Sequence, residues 1–176
     1  HCAIIAHHWE NAGESNRAVP YLADAGEQAL RNGMFKEATS LYSSALDISV
    51  QFEEQPSVEA RARWTRQLGL AHYFLGELDT SRQLLEQAVA ALDRPIPTTS
   101  MSLGLALTSN LFRQIGHRKA PALFLGKAAH RAGPLADAVD CYKILGQIYY
   151  LAGEPALRLS YMTLRGLNAG EAAGPS

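Results

Sequence analysis

The sequence predicts an all-α fold built from antiparallel helical hairpins, and three observations support this prediction. Helix-favouring residues, above all Ala and Leu, dominate the composition, while alternating runs of β-branched residues do not occur. Apolar residues recur at three- and four-residue intervals, which is the period of an amphipathic helix. Gly and Pro divide the chain into segments of helix length with short connections, so we expect successive helices to be antiparallel neighbours.

The positions of Gly and Pro predict where each helix begins and ends. Gly13, Gly33 and Gly76 each follow a run of helix formers, and we expect positive φ at Gly33 and Gly76 because a helix C-terminus favours it. Pro95 and Pro97 stop the fifth helix. The predicted helices cover about residues 2–12, 16–32, 35–52, 58–75, 79–92, 101–116, 121–131, 135–152 and 155–168.

A repeat relates the second and third helices to the fourth and fifth. Both pairs have the spacing Gly-x6-Gly-x4-small-x3-large-x2-Ala, and each position is offset by 43 residues. A third pair repeats part of the pattern. The repeat positions are Gly26, Gly33, Ala38, Tyr42 and Ala45, then Gly69, Gly76, Ser81, Leu85 and Ala88, then Gly146 and Gly153.

The spacing has a mechanical meaning in a helical hairpin. The first Gly lets the partner helix approach closely, and the second Gly ends the first helix. The small residue lies where the two helices cross, so we expect Ala38 and Ala45 to be buried. Stacked hairpins of this kind bury one continuous core.

The repeat resembles the tetratricopeptide repeat, although its period exceeds the usual value of about 34 residues because the third helix is long. Three segments resemble a more specific group of proteins than the repeat family as a whole. They are IAHHWENAGESNRAVPYLADAGEQAL, GLAHYFLGELDTSRQLLEQAVAALDRP and LGQIYYLAGEPALRLSYMTLRGLN. They look like the helical C-terminal region of large bacterial signalling proteins that carry a class III nucleotide cyclase domain and a signal-transduction ATPase module. The resemblance implies a right-handed tetratricopeptide-like α-solenoid in a cytoplasmic protein, and no cyclase residue carries over to this chain.

We expect a single helical-repeat domain over residues 1–176 that is a fragment of a longer protein. The predicted hairpins cover about 1–33, 34–75 overlapping 57–93, an irregular hairpin at 98–134, and 135–170.

The sequence contains no pattern that predicts catalysis. It lacks a phosphate loop, a nucleophile elbow and a metalloprotease motif, so we expect no enzyme activity and no cofactor. The histidines, including the adjacent His7 and His8, lack metal-ligand spacing, so we expect no metal site. We interpret Cys141 as a buried structural cysteine.

Charge is segregated along a chain whose net charge is only −1. Residues 1–93 have 13 acidic and 7 basic residues, a net charge of −6, whereas residues 94–136 have six basic residues and no acid. One interpretation is a solvated face or internal neutralisation by the acidic half, and the other is a docking surface for an acidic partner, a phosphate or an anionic membrane. The candidate partner-binding residues are Arg113, Arg118, Lys119, Lys127 and Arg131.

Residues 95–112 carry no charge but are too polar to span a bilayer. They predict either a helix that is buried on most sides or an exposed interface helix whose partner lies outside the fragment. No stretch elsewhere predicts a membrane span, and the near-neutral charge argues against nucleic-acid binding.

The function predicted by these observations is a regulatory, non-catalytic protein-interaction domain in signalling. Its partner would be another protein, another domain of the parent chain or a second copy. Two alternatives remain: a solenoid that senses a small effector in a pocket lined by Trp64, His72 and Tyr73, and a spacer that drives oligomerisation.

Overall fold

The computed structural model describes residues 15–51, 56–119 and 128–174. Within these ranges the chain forms helices and turns and contains no strand, so the all-α prediction is confirmed. The chain divides into two compact units, residues 1–88 and 89–176. The predicted helix at 2–12 and most of the one at 121–131 lie outside the described residues.

The first unit contains α1 (Ser15–Arg31), α2 (Phe35–Ser49), α3 (Val58–Phe74) and most of α4 (Leu78–Ala91). Helix α2 packs against both α1 and α3. The core between these three helices is made mainly of small and medium apolar side chains, which lets the helices approach closely. Its buried residues are Ala18, Val19, Leu22, Ala23, Ala29, Ala38, Tyr42, Ala45, Leu68 and Ala71.

Three helices end in the same glycine turn. Gly33, Gly76 and Gly153 have φ values of 74°, 79° and 70°, which confirms the expectation for the first two. In each turn the N–H of the next residue reaches back five positions, as in Met34 N–H to the Ala29 carbonyl at 2.9 Å and Glu77 N–H to the His72 carbonyl at 3.0 Å. These bonds satisfy carbonyls that the helix end would leave unpaired.

The close contacts expected from the repeat occur in the first two hairpins, and a looser contact occurs in the third. A Cβ atom built on Gly26 would lie 2.9 Å from the Tyr42 ring, and one built on Gly69 would lie 3.0 Å from Leu85. The equivalent distance from Gly146 to Met162 is 3.9 Å, so the third hairpin is less tight at this position. In each case the large residue follows its glycine by the same interval in sequence.

The third hairpin differs from the other two at the two repeat positions that hold small residues after the second glycine. Ala38 and Ser81 are fully buried, and so are Ala45 and Ala88 to within 1%. The same register in the third hairpin places Arg158 and Arg165 there. Two long cationic side chains therefore occupy positions that hold buried small residues in the first two hairpins.

The second unit contains α5 (Ser100–Lys119), a short 3-10 helix (Ala129–Arg131), α6 (Ala132–Leu151) and α7 (Ala156–Ala173). Helix α7 packs against both α6 and α5, and the 3-10 helix contacts α6 and α7. The Ala128 N–H donates to the Ala172 carbonyl at 3.0 Å, which pairs one of the last carbonyls of α7.

Two helices are longer than the sequence predicts. Helix α5 continues through Gly116 to Lys119, and α7 continues past Asn168 to Ala173. The added turns contain His117 and Glu171, whose side chains pair with each other. Packing between the two helices therefore stabilises turns that local glycine content disfavours.

Candidate functional site

Helix α5 buries its polar face and exposes its apolar face. The polar residues Asn110, Gln114 and His117 are buried together with Leu103. On the opposite side, about half a helical turn away, Met101, Leu105 and Phe112 have 88%, 74% and 69% of their surface exposed, and Leu111 and Ile115 are also exposed. This arrangement is the reverse of the usual one for a helix of a globular protein.

A chain of side-chain hydrogen bonds fixes the buried face of α5 against α7. The Asn168 amide donates to the Asn110 side-chain oxygen at 2.9 Å and to the Asn110 carbonyl at 3.1 Å. The Gln114 amide donates to Asn168 at 2.9 Å and to Glu171 at 2.6 Å. Both residue numbers rise together along the contact, so α5 and α7 run parallel.

His117 completes this polar network. Its Nδ1 pairs with a carboxylate oxygen of Glu171, and the His117 side chain is 4% exposed while that of Glu171 is 30% exposed. Buried amides and an imidazole are costly to desolvate unless their hydrogen bonds are made. Because each amide here finds a partner on the other helix, the network determines which face of α5 is buried.

The predicted basic residues lie at the end of α5 and in the 3-10 helix. Arg113, Arg118, Lys119 and Arg131 are exposed, and none of them forms an ion pair within residues 15–51, 56–119 and 128–174. Lys127 lies outside the described residues. Four of the five predicted residues therefore lie in the last two turns of α5 and in the 3-10 helix, and their role in partner binding stays a prediction.

A set of buried polar groups lies near part of this basic surface. Burial lowers the pKa of the Arg94 guanidinium, and the charges of Arg165, Arg131 and Arg113 lower it further against an opposing effect of Tyr142. Burial also raises the pKa of Tyr142, while the charge of Arg165 acts in the opposite direction.

Two members of this set were not predicted from the sequence. Tyr142 and Arg165 lie outside the acid-free segment 94–136, so the charge pattern did not single them out. The repeat register contains the signal that would have found Arg165, because the two earlier hairpins have a buried alanine at its position.

The aromatic residues predicted to line a small-effector pocket, Trp64 and Tyr73, make packing contacts in the first unit. Trp64 packs against the core of the first unit, and Phe74 stacks on Phe35 with ring centroids 4.6 Å apart. The His72 Nδ1 lies 2.5 Å from Glu77, and Tyr73 contacts Phe74 edge to face. Cys141 is buried with no disulfide, in agreement with its structural interpretation.

Comparison with known proteins gives no match, either among protein-family models or among curated proteins. The described residues contain no group of three or more His, Cys, Asp or Glu side chains that could hold a metal ion. None of the helices in the described ranges combines the length and the apolar character needed to cross a membrane.

Proposed function

We propose that this chain is a non-catalytic, regulatory helical-repeat domain that binds a protein partner through the apolar face of α5. The observation that carries the proposal is the exposure of Met101, Leu105 and Phe112 on one side of a helix whose other side is held by buried hydrogen bonds. In this proposal the hairpins stack as a tetratricopeptide-like right-handed solenoid. The parent would be a cytoplasmic signalling protein of the cyclase and ATPase type that three segments resemble.

Packing against α7 supports the proposal because it prevents α5 from turning its apolar side inward. Such a rotation would break the bonds between Asn168, Gln114 and Asn110 and leave buried amides unpaired, at a cost of about 1–3 kcal/mol for each group. The apolar side is therefore held outward. Contiguous apolar surface of this kind is typical of interaction sites.

The residue types favour a protein partner with acidic groups. Met, aromatic and Arg residues are enriched in protein interfaces, and α5 presents Met101, Phe112 and Arg113. Arg118 and Lys119 extend the basic edge of this surface without an ion pair in the described ranges. Acidic side chains on the partner would supply the missing charge and speed association.

Photo-crosslinking followed by titration tests the proposal. A photoreactive residue at Phe112 should capture one dominant protein in cells, whereas the same residue at Leu157, an exposed apolar position on α7, should not. The purified partner should then bind a Leu105→Ser/Phe112→Ser variant about tenfold or more weakly than the wild type, with Leu157→Ser unchanged.

Two results would contradict the proposal. Equal affinity of the wild type and the double variant would show that α5 is not the contact. Capture of only a second copy of the chain, with a mass in light scattering that rises with concentration, would support the oligomerisation spacer instead.

A further inference from the structure

The exposed side of α5 carries a stripe of residues at heptad spacing. Successive members lie four, three, four and three residues apart, and all of them are exposed. We call these residues the outer seam: Met101, Leu105, Thr108, Phe112 and Ile115. An α-helix with this spacing presents one narrow stripe along its axis, which is the pattern through which two helices pack lengthwise in a coiled coil. The outer seam is therefore suited to a second helix that lies along α5.

Thr108 is the polar member of the outer seam, and its hydroxyl is already hydrogen-bonded. It donates to the Gly104 carbonyl of the same helix at 2.9 Å. A partner can therefore cover the seam without leaving this hydroxyl unpaired. A partner in an extended conformation would bury its own N–H and C=O groups against α5, whose backbone groups are used within the helix. A partner helix pairs those groups internally, so the seam favours a helix over an extended segment.

Helix α5 already packs lengthwise against one helix on its other side. Its buried residues follow the same period, with steps of seven, four and three residues, and are Leu103, Asn110, Gln114 and His117. Their hydrogen bonds to α7 advance along both helices together. Two heptad stripes on opposite sides are typical of a helix that lies between two neighbouring helices. Helix α7 is one of these neighbours, and the outer seam faces the place of the second.

Basic residues flank the outer seam in the last two turns of α5. At about 100° per residue, Arg113 lies on one side of the seam and Arg118 on the other, and Lys119 continues the seam itself. All three are exposed and form no ion pair within the described ranges. Charged residues beside a heptad seam pair with the partner helix and select it. Because residues 94–136 contain no acid, α5 of a second copy would bring no carboxylate to these cations.

We propose that the occupant of the outer seam is an amphipathic helix of another protein, with apolar residues at heptad spacing and Asp or Glu beside Arg113 and Arg118. The inference rests on the proposed function, because it names the kind of partner that the apolar face of α5 binds. Helix α5 is 20 residues long. The outer seam covers two heptads of it, about 21 Å, so the partner segment needs about 15–20 helical residues.

An anionic membrane is the other surface that attracts an apolar stripe with basic residues. Helices that lie on membranes carry Lys and Arg on a polar face that stays in contact with water. The polar face of α5 is instead buried against α7, and no charge occurs from Ser100 to Phe112. The charge pattern therefore favours a helix whose acidic residues lie near one end of the seam.

Three synthetic peptides of about three heptads each serve as probes. The acidic peptide has Leu at the two seam positions of each heptad and Glu at the two flanking positions, whose repulsion prevents it from pairing with itself. The shuffled peptide has the same composition without heptad spacing, and the basic peptide has Lys in place of Glu. Fluorescence anisotropy measures binding of each peptide to the chain, and circular dichroism measures the helix that forms in the peptide.

We expect the acidic peptide to bind saturably and to gain helix on binding. The shuffled and basic peptides should each bind about tenfold or more weakly. The difference between the acidic and basic peptides should shrink as the salt concentration rises, because the flanking charges are exposed to solvent.

Variants of exposed residues locate the binding. The Leu105→Ser/Phe112→Ser variant should bind the acidic peptide about tenfold or more weakly, and Leu157→Ser on α7 should bind it as the wild type does. Thr108→Leu should bind the peptide several-fold more tightly, because it adds apolar contact within the seam. The matched control is Ser109→Leu, the exposed neighbour that lies outside the seam, and it should gain less.

Three results would overturn the inference. They are the absence of saturable binding by the acidic peptide, equal binding of the shuffled peptide, and an equal gain in Thr108→Leu and Ser109→Leu. Binding to vesicles of equal parts phosphatidylcholine and phosphatidylserine, with no binding of the acidic peptide, would assign the outer seam to a membrane instead.

Failure of this inference is distinguishable from failure of the proposed function. If the acidic peptide does not bind but a captured protein loses affinity for the Leu105→Ser/Phe112→Ser variant, α5 binds a protein by some other structure and only the helix is ruled out. If the captured protein binds that variant as it binds the wild type while the acidic peptide requires the seam, the proposed cellular contact is wrong and the preference of the seam for a helix is supported.

Discussion

Gly33 is a residue whose backbone conformation alone determines what can replace it. Its φ of 74° lies in the left-handed region, and a Cβ atom there would meet nothing within 4 Å. We expect Gly33→Val to destabilise the protein by about 1 kcal/mol or more, through backbone strain without any steric contact. Chemical denaturation measures this change in the free energy of unfolding.

Gly104 is the matched control for that substitution. It also has open space around its Cα, but it lies inside helix α5 with ordinary helical φ. We therefore expect Gly104→Ala to stabilise the protein by up to about 1 kcal/mol. Destabilisation by both substitutions would mean that the left-handed turn is not the cause.

Asp93 is the one non-glycine residue with positive φ in the described ranges, at 59°. It closes α4 with the same bond pattern as the glycine turns, since the Arg94 N–H donates to the Val89 carbonyl at 2.9 Å. We expect Asp93→Gly to raise the free energy of unfolding by about 0.5–1 kcal/mol because it removes strain. Asp93→Ala should lower it, and a fall in both variants would argue that the aspartate side chain is needed.

At the scale of elements, equivalent glycines in two hairpins should respond oppositely to the same substitution. A Cβ at Gly26 would lie 2.9 Å from Tyr42, whereas one at Gly146 would lie at an ordinary contact distance of 3.9 Å from Met162. We expect Gly26→Ala to cost about 1–3 kcal/mol through overpacking. Gly146→Ala should gain up to about 1 kcal/mol from helix propensity.

Thermal or chemical unfolding of the two variants separates these effects. Ala38→Leu, at a fully buried crossing position, should behave like Gly26→Ala and cost about 1–3 kcal/mol. A stable Ala38→Leu protein would show that the repeat register of the first hairpin has been assigned incorrectly.

The polar network between α5 and α7 should behave as a coupled unit. Asn168→Leu removes the donor to the Asn110 side-chain oxygen and one of the two acceptors of the Gln114 amide, and it should destabilise the protein by about 1–3 kcal/mol for each buried group left unpaired. The double variant Asn110→Leu/Asn168→Leu should cost less than the sum of the two single changes. Additive costs would argue against coupling, and Gln147→Leu, on the exposed surface of α6, controls for the substitution itself.

Helix positions were largely predictable because their ends depend on local chemistry. Gly33 and Gly76 mark turns that the chain must close with positive φ, and the observed ends of α1, α3 and α4 lie within about one residue of those expected. The orientation of α5 was not predictable in this way. Its buried face is polar, and only the Asn110 and Gln114 bonds to a distant helix explain it.

At the scale of the whole molecule, charge segregation should appear in the salt dependence of binding. Charge reversal at Arg118, Lys119 and Lys127 should weaken association with an acidic partner without unfolding the chain, because Arg118 and Lys119 are exposed. The loss should shrink as ionic strength rises. Affinity measured at two salt concentrations tests this, and unchanged binding at low salt would assign the basic surface a structural role.

The candidate site was only partly predictable at this scale. The acid-free segment identified Arg113 and Arg131 because their charges are visible in the sequence. Arg165 and Tyr142 lie on α7 and α6, and how those helices pack against α5 and the 3-10 helix is not encoded in local patterns. Long-range contacts of this kind are the part of a fold that a sequence reveals least.

The parallel contact between α5 and α7 has a consequence for the order in which the chain forms during synthesis. The bonds that hold α5 join residues 54 to 58 positions apart. At about 5–20 residues per second, several seconds of translation separate the emergence of the two helices from the ribosome. During that interval α5 has no polar network to orient it, and its apolar side is open to chaperones and to neighbouring nascent chains. The arrival of α7 would therefore act as the commitment step for this unit.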